Sequence, residues 1–241
     1  MSFKRTPIKE KVEEIMDFFV DEKPNYNYLR SVFRELRKKL SVDVTTVKKS
    51  PSYIPTEEEM KKYYKVVWEC KNFQDMVIIK TLLYTGVKIN EFVDIRISDV
   101  DFANCKIRIT EKRWQKDRYV PFPASFKEVL GMHIEKMHKQ QAVYLFESSR
   151  YKKKYTDRGI RTILQKYAKI AGMKSAISPQ ILRNFLITWL KKSNIDDSLI
   201  QSYSGHQRKE SLLHVYSTID SKTDFGDSRE AYDEAINQLS M

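Results

Sequence analysis

Long apolar runs are missing from this sequence. No stretch approaches the ~20 consecutive apolar residues of a membrane-spanning helix, and the opening MSFKRTPIKEKVEE lacks the apolar core of a secretory leader. Cysteine is nearly absent. Cys70 and Cys105 are the only two, without the Cys-x-x-Cys spacing of a zinc site or the density of a disulfide scaffold. A protein of a reducing cytoplasm is the expectation these absences leave. Histidine is scarce too, at four residues. His133 and His138 sit five apart, off the i, i+4 spacing of a metal-binding helix pair, and read as ordinary surface or half-buried side chains. No metal and no cofactor are expected. Acidic residues are outnumbered, 32 against 44 basic, for a net charge of +12. That excess favours a polyanionic partner, because neutralised phosphates release counterions. Composition does not separate DNA from RNA or anionic lipid.

What is present is enough apolar material for a core: 41% of 241 residues. The length fits one good-sized domain, or a small domain and a larger one. Residues 8–20 and 26–40 each place apolar side chains on one helical face, and Arg30, Arg34, Arg37, Lys38 and Lys39 line the rest of the second. Residues 41–55 hold β-branched residues, Lys48-Lys49 and two prolines, the composition of an extended linker. A boundary is expected here, dividing residues 1–50 from 51–241. Thr56 with Glu59 spells a capping box that opens a helix. Residues 75–84 are apolar on nearly all sides, as in a buried helix, with Gly86 placed to cap it. Residues 95–122 read as a small antiparallel sheet, and residues 158–171 as an amphipathic helix. Ser178-Pro179 is a natural helix start. It opens an apolar stripe through Ile181, Leu182, Phe185, Leu186, Trp189 and Leu190, with Arg183 at the stripe's edge.

Three stretches carry chemistry when taken together. The first runs Ser178-Pro179-Gln180-Ile181-Leu182-Arg183-Asn184, then Ser204-Gly205-His206, then Tyr216. A guanidinium binds phosphate bidentately, a histidine donates to or protonates an oxygen, and a tyrosine hydroxyl can attack phosphorus. The second is Thr85-Gly86-Val87-Lys88-Ile89-Asn90-Glu91. The third is Lys112 through Lys116-Asp117-Arg118-Tyr119-Val120-Pro121. In this order and spacing the chain resembles the tyrosine recombinases, or phage integrases. Their runs are S-P-H-x-L-R-H, L-G-H and a tyrosine, T-G-x-R-x-x-E-L, and G-K-G-x-K-x-R-x-V-P. Gln180 and Asn184 stand where that family usually has histidines, and Lys88 stands where it has arginine.

The resemblance implies a mainly α fold with a small antiparallel sheet, the tyrosine recombinase catalytic domain, preceded here by a short helical DNA-binding arm. It implies a DNA strand transferase that acts on double-stranded DNA as a homo-oligomer, a tetramer in synapsis. Tyr216 is the implied nucleophile, with Tyr203 its competitor. Arg183, Lys88, His206 and Gln180 are implied around the scissile phosphate. Lys112 is the implied acid for the leaving 5′ oxygen, with Lys116 as the alternative. Glutamine cannot act as an acid near neutral pH, and lysine lacks the planar fork of arginine. Two alternatives therefore stand beside the recombinase: a DNA-binding protein of the same fold with little or no cleavage activity, and a type IB topoisomerase-like enzyme.

Overall fold

The computed structural model describes residues 5–42, 53–110, 117–148, 151–205 and 229–239. Lys48 and Lys49 of the expected linker lie outside these residues. The chain divides into two compact units, Met1–Ser50 and Pro51–Met241.

The first unit holds two helices, α1 (Ile8–Met16) and α2 (Tyr26–Lys39). Asn25 caps α2 by accepting from the Tyr28 amide. Neither helix buries a residue within the described chain. The expected first helix ran to residue 20, but α1 stops at Met16 and turns follow. Phe18, Phe19 and Val20 are poor helix formers, and Phe19 instead meets the Tyr28 ring edge-on.

The second unit carries the core. Helix α3 (Glu57–Glu69) starts at the capping box: Thr56 Oγ1 accepts from the Glu59 amide, and the Glu59 carboxylate accepts from the Thr56 amide. Helix α4 (Phe73–Thr85) is buried on nearly every side, as its sequence dictates. Gly86 ends it in the left-handed conformation, φ 55°. A Cβ there would also lie 2.9 Å from Leu186 Cδ2, so glycine serves both the turn and the close approach of the helix that carries Leu186. A single turn, α5 (Ile89–Phe92), leads to the three-stranded antiparallel sheet: β1 (Val100–Asp101), β2 (Lys106–Ile109) and β3 (Arg118–Pro121). Its register pairs Ile107 with Val120 and Ile109 with Arg118. The segment between β2 and β3 includes Lys112 and Lys116, which lie outside the described residues.

Helix α6 (Lys127–Lys139) follows. A two-stranded ribbon, β4 (Glu147–Ser148) with β5 (Lys153–Lys154), then leads into α7 (Asp157–Ile170), capped by Thr156. Ser178 caps α8 (Pro179–Lys192), accepting from the Ile181 amide. Helix α9 (Asp197–Ser204) and helix α10 (Arg229–Gln238) complete the described chain.

Helices α4 and α8 pack along each other through the centre, α3 lies on α7, α9 on β3, and α10 on α8. Two long-range contacts tie the outer helices in. The Trp189 indole donates to the Ala235 carbonyl at 2.8 Å, and the rings of Tyr203 and Tyr232 lie 4.5 Å apart. The fold is mainly helical with a small antiparallel sheet, and no described helix is long and apolar enough to cross a membrane. One expectation is corrected here. His138 is exposed as read, but His133 is fully buried. It lies on the core face of α6, and its Nε2–H donates to the Leu145 carbonyl at 2.8 Å.

Candidate active site

The site is built on the turn after α4. Gly86 reverses the chain, Val87 is buried, and Lys88 emerges exposed at the start of α5. Glu91, one turn on, reaches back to accept from the Lys88 amide at 2.8 Å. The same carboxylate receives both terminal nitrogens of Arg118 on β3, at 3.0 and 2.7 Å. Its side chain is only 12% exposed, as is that of Arg118. Burial pushes the Glu91 pKa up, but the Arg118 bonds and charge, with smaller help from Lys88, hold it below the ordinary glutamate value.

Three cations then meet the end of α9. Arg118 Nε donates to the Tyr203 carbonyl at 3.1 Å, Arg183 Nη2 to the Ser204 carbonyl at 2.7 Å, and Lys88 Nζ to the Gly205 carbonyl at 3.3 Å. Consecutive carbonyls are thus each taken by a cation from a different part of the chain. The physical reason is local: a helix C-terminus presents unsatisfied carbonyls and a partial negative charge. Gly205 caps α9 in the left-handed conformation, φ 68°. A Cβ on it would lie 2.8 Å from Arg118 Cζ. The next residue in the chain is His206.

Arg183 also donates through Nη1 to the Gly86 carbonyl at 2.5 Å, which links α8 to the α4 turn. The sequence reading put this arginine at the edge of an apolar stripe. The structure buries it to 2% exposure, because the Gly86 turn and the end of α9 close over it with carbonyls facing its guanidinium. Burial pulls its pKa down to about 10, where the charge is still held at neutral pH; Glu91 opposes that shift and Arg118 adds to it.

Lys88, Gln180 and Arg183 line one cleft of about 90 Å³ together with Asn90 and Arg161. Arg161 is held in place by Asp157, one turn earlier on α7. The Gln180 amide donates to Asn184 Oδ1 at 2.7 Å. The two residues found where the resemblance leads one to look for histidines are therefore partners of each other. A larger cleft of about 460 Å³ is lined by Glu91 and residues of the sheet region. Its charges are mixed and paired: Arg108 with Asp99 at 2.7 Å, and Lys154 with Asp94. The smaller, cation-lined cleft is the one suited to a phosphate.

Of the six residues singled out from the sequence, the structure thus brings together Lys88, Gln180 and Arg183. Lys112, His206 and Tyr216 lie outside the described residues, as does the alternative Lys116. Tyr203 is described, with its ring against Tyr232 and its carbonyl on Arg118. The sequence reading missed Arg161, and it noted Arg118 only as part of a motif.

A sequence model of the Phage integrase family matches residues 55–222, most of the chain and all the elements that form this site. The chain belongs to the phage integrase family. Among curated members, a tyrosine recombinase of Pseudothermotoga lettingae is 25% identical over 213 residues, 87% of this chain and 71% of that protein. Tyrosine recombinase XerC of Staphylococcus aureus is 31% identical over 166 residues, 66% of this chain and 55% of that protein. Tyrosine recombinase XerA of Pyrococcus furiosus is 28% identical, across 72% of this chain and 61% of that protein. The chain thus spans little more than half the length of XerC. Among solved folds, XerA recombinase superposes with a TM-score of 0.63 at 22% identity, covering 98% of this chain and 84% of that one. A lambda integrase dimer bound to a core site gives 0.62 at 13%, covering 93% and 87%. The integrase-family fold is thereby shown.

Proposed function

We propose that this chain is a site-specific DNA recombinase that cleaves and rejoins strands through a 3′-phosphotyrosyl intermediate. The observation that carries the reading is the convergence of Lys88 and Arg183, far apart in sequence, on one small cleft beside the residue that precedes His206. The names of the curated relatives, and the DNA in complexes of fold neighbours such as the Tn1549 transposon integrase, support it.

In this reading the Tyr216 hydroxyl attacks the scissile phosphorus. A P–O bond to tyrosine forms as the phenolic proton passes to water, the bond from phosphorus to the 5′ oxygen breaks, and Lys112 gives the leaving oxygen its proton. Lys116 is the alternative donor. Arg183, Lys88 and His206 stabilise charge on the non-bridging oxygens, and prearranged charge of this kind is the main source of acceleration. Rejoining is the reverse step by a different 5′-hydroxyl, so the phosphotyrosine linkage conserves the energy and neither metal nor nucleotide is consumed. Residues 1–50 serve as a helical DNA-binding arm, residues 51–241 as the catalytic domain, and the working form is a tetramer on double-stranded DNA.

A nicked suicide duplex tests this. We expect a covalent protein–DNA adduct that disappears in Tyr216→Phe. Binding without an adduct would overturn the proposal in favour of a binding module, and site-independent plasmid relaxation would favour a topoisomerase. A weakened site is the second reading, favoured by the engagement of the Gln180 amide with Asn184. In that case Lys88→Arg raises the adduct yield; if it lowers the yield, the site has been rebuilt around lysine.

A further inference from the structure

Arg118 is a cation of the site that the proposed chemistry leaves without a task. It does not line the cleft of Lys88, Gln180 and Arg183. Its three described bonds all go to protein: two to Glu91 and one to the Tyr203 carbonyl. It is also the group that a Cβ at Gly205 would strike, with Cζ, Nε and Nη1 at 2.8, 3.0 and 3.1 Å. The guanidinium therefore lies flat against the glycine, between the Glu91 carboxylate and the end of α9.

This placement joins three separate pieces of the site. Glu91 fixes the Lys88 amide, and so the root of the lysine side chain. The Tyr203 carbonyl fixes the end of α9, whose next two carbonyls receive Arg183 and Lys88. Strand β3 supplies the strut itself, on its first residue, which registers against Ile109 of β2. A planar fork with donors on three nitrogens can make these contacts together; an ammonium on a flexible stem cannot.

We propose that Arg118 is a positioning residue for strand cleavage: seated on Gly205 and locked to Glu91, it sets where the α9 terminus stands relative to Lys88 and Arg183. It touches no reacting atom. The inference rests on the recombinase reading above, and it assigns a specific reason for glycine at 205 beyond the backbone angle.

The test uses the full chain and a nicked duplex, with single-turnover adduct formation, DNA affinity and thermal melting measured in parallel. The variants are Arg118→Lys, Gly205→Asn and the double. Asparagine tolerates the left-handed conformation but still brings a Cβ against residue 118. We expect each single variant to slow cleavage about 30-fold, less than the ~10²–10³ for deleting a direct oxyanion donor. Affinity should stay within about threefold, since uniform binding is untouched. The double variant should be no slower than the slower single, because both remove one contact. Rates that multiply in the double, affinity that falls in step with rate, or rates that do not change would each overturn the inference while leaving the recombinase reading intact. Absence of any adduct with the unaltered protein would overturn that reading, and this inference with it. If Arg118→Lys fails to fold, the split between rate and affinity in Gly205→Asn decides alone.

Discussion

The Glu91 carboxylate receives both Arg118 and the Lys88 amide, and its ionisation holds that corner of the molecule together. Its folded pKa lies below the ordinary 4.5 despite burial. A carboxylate depressed on folding contributes stability that is present above its unfolded pKa and is lost as pH falls through the folded value. Glu91→Gln should therefore lower stability at pH 7 by about 2 kcal/mol, the scale of a charged hydrogen-bonded pair with one partner neutralised. It should also flatten the acid limb of the stability curve below about pH 4.5, measured by denaturant titration across pH. At this scale the sequence was only partly legible. Lys88, Gln180 and Arg183 could be located because each lies in a short local pattern. The Arg118–Glu91 lock could not, because it joins β3 to α5 across 27 residues that include β1 and β2, and nothing local marks it. The burial of Arg183 was hidden for the same reason: the carbonyls that receive it belong to other elements.

Helices whose ends carry caps were the most legible elements. Thr56 with Glu59, Ser178 with Pro179, and Gly86 mark the boundaries of α3, α8 and α4 in sequence and in space. Helix α1 was read too long, since apolar periodicity continues through Phe18 to Val20 while their helix propensity does not support another turn. Helix α6 was read as mixed in character, and the buried His133 on it was not foreseen. Apolar neighbours enclose that imidazole: Phe73 and Phe146 lie 6.4 and 5.0 Å away, centroid to centroid. Its Nε2–H serves Leu145, and Nδ1 has no partner among the described residues. Burial therefore lowers its pKa from 6.5, with Lys136 adding to the effect and the Leu145 bond opposing it. The unfolded chain takes up the proton first, so stability falls as pH drops below about 6.5. A lower melting temperature at pH 5 than at pH 7, with a shallower dependence in His133→Gln, is the expected result.

Across the whole molecule the dominant quantity is charge, +12 over 241 residues. A protein that holds DNA by neutralising six or more phosphates loses about 10³-fold or more in affinity between about 50 and 200 mM salt. We expect that loss for this chain, read by fluorescence anisotropy on a labelled duplex. A salt response of less than about tenfold would argue for a footprint of few phosphate contacts. The excess of basic residues was plain in the sequence, but their arrangement was not. At the cleft the positive groups are already engaged, and the engagement has a consequence for selectivity. Lys88 holds a backbone oxygen of Gly205 and Arg183 holds those of Gly86 and Ser204. A small free anion arriving there must compete with partners that are covalently part of the protein and so never diffuse away. Inorganic phosphate gains little from such a contest. On the recombinase reading proposed above, a duplex anchored along many other charges would bring its own phosphate to the same spot at high local concentration, which would reserve the site for polymers.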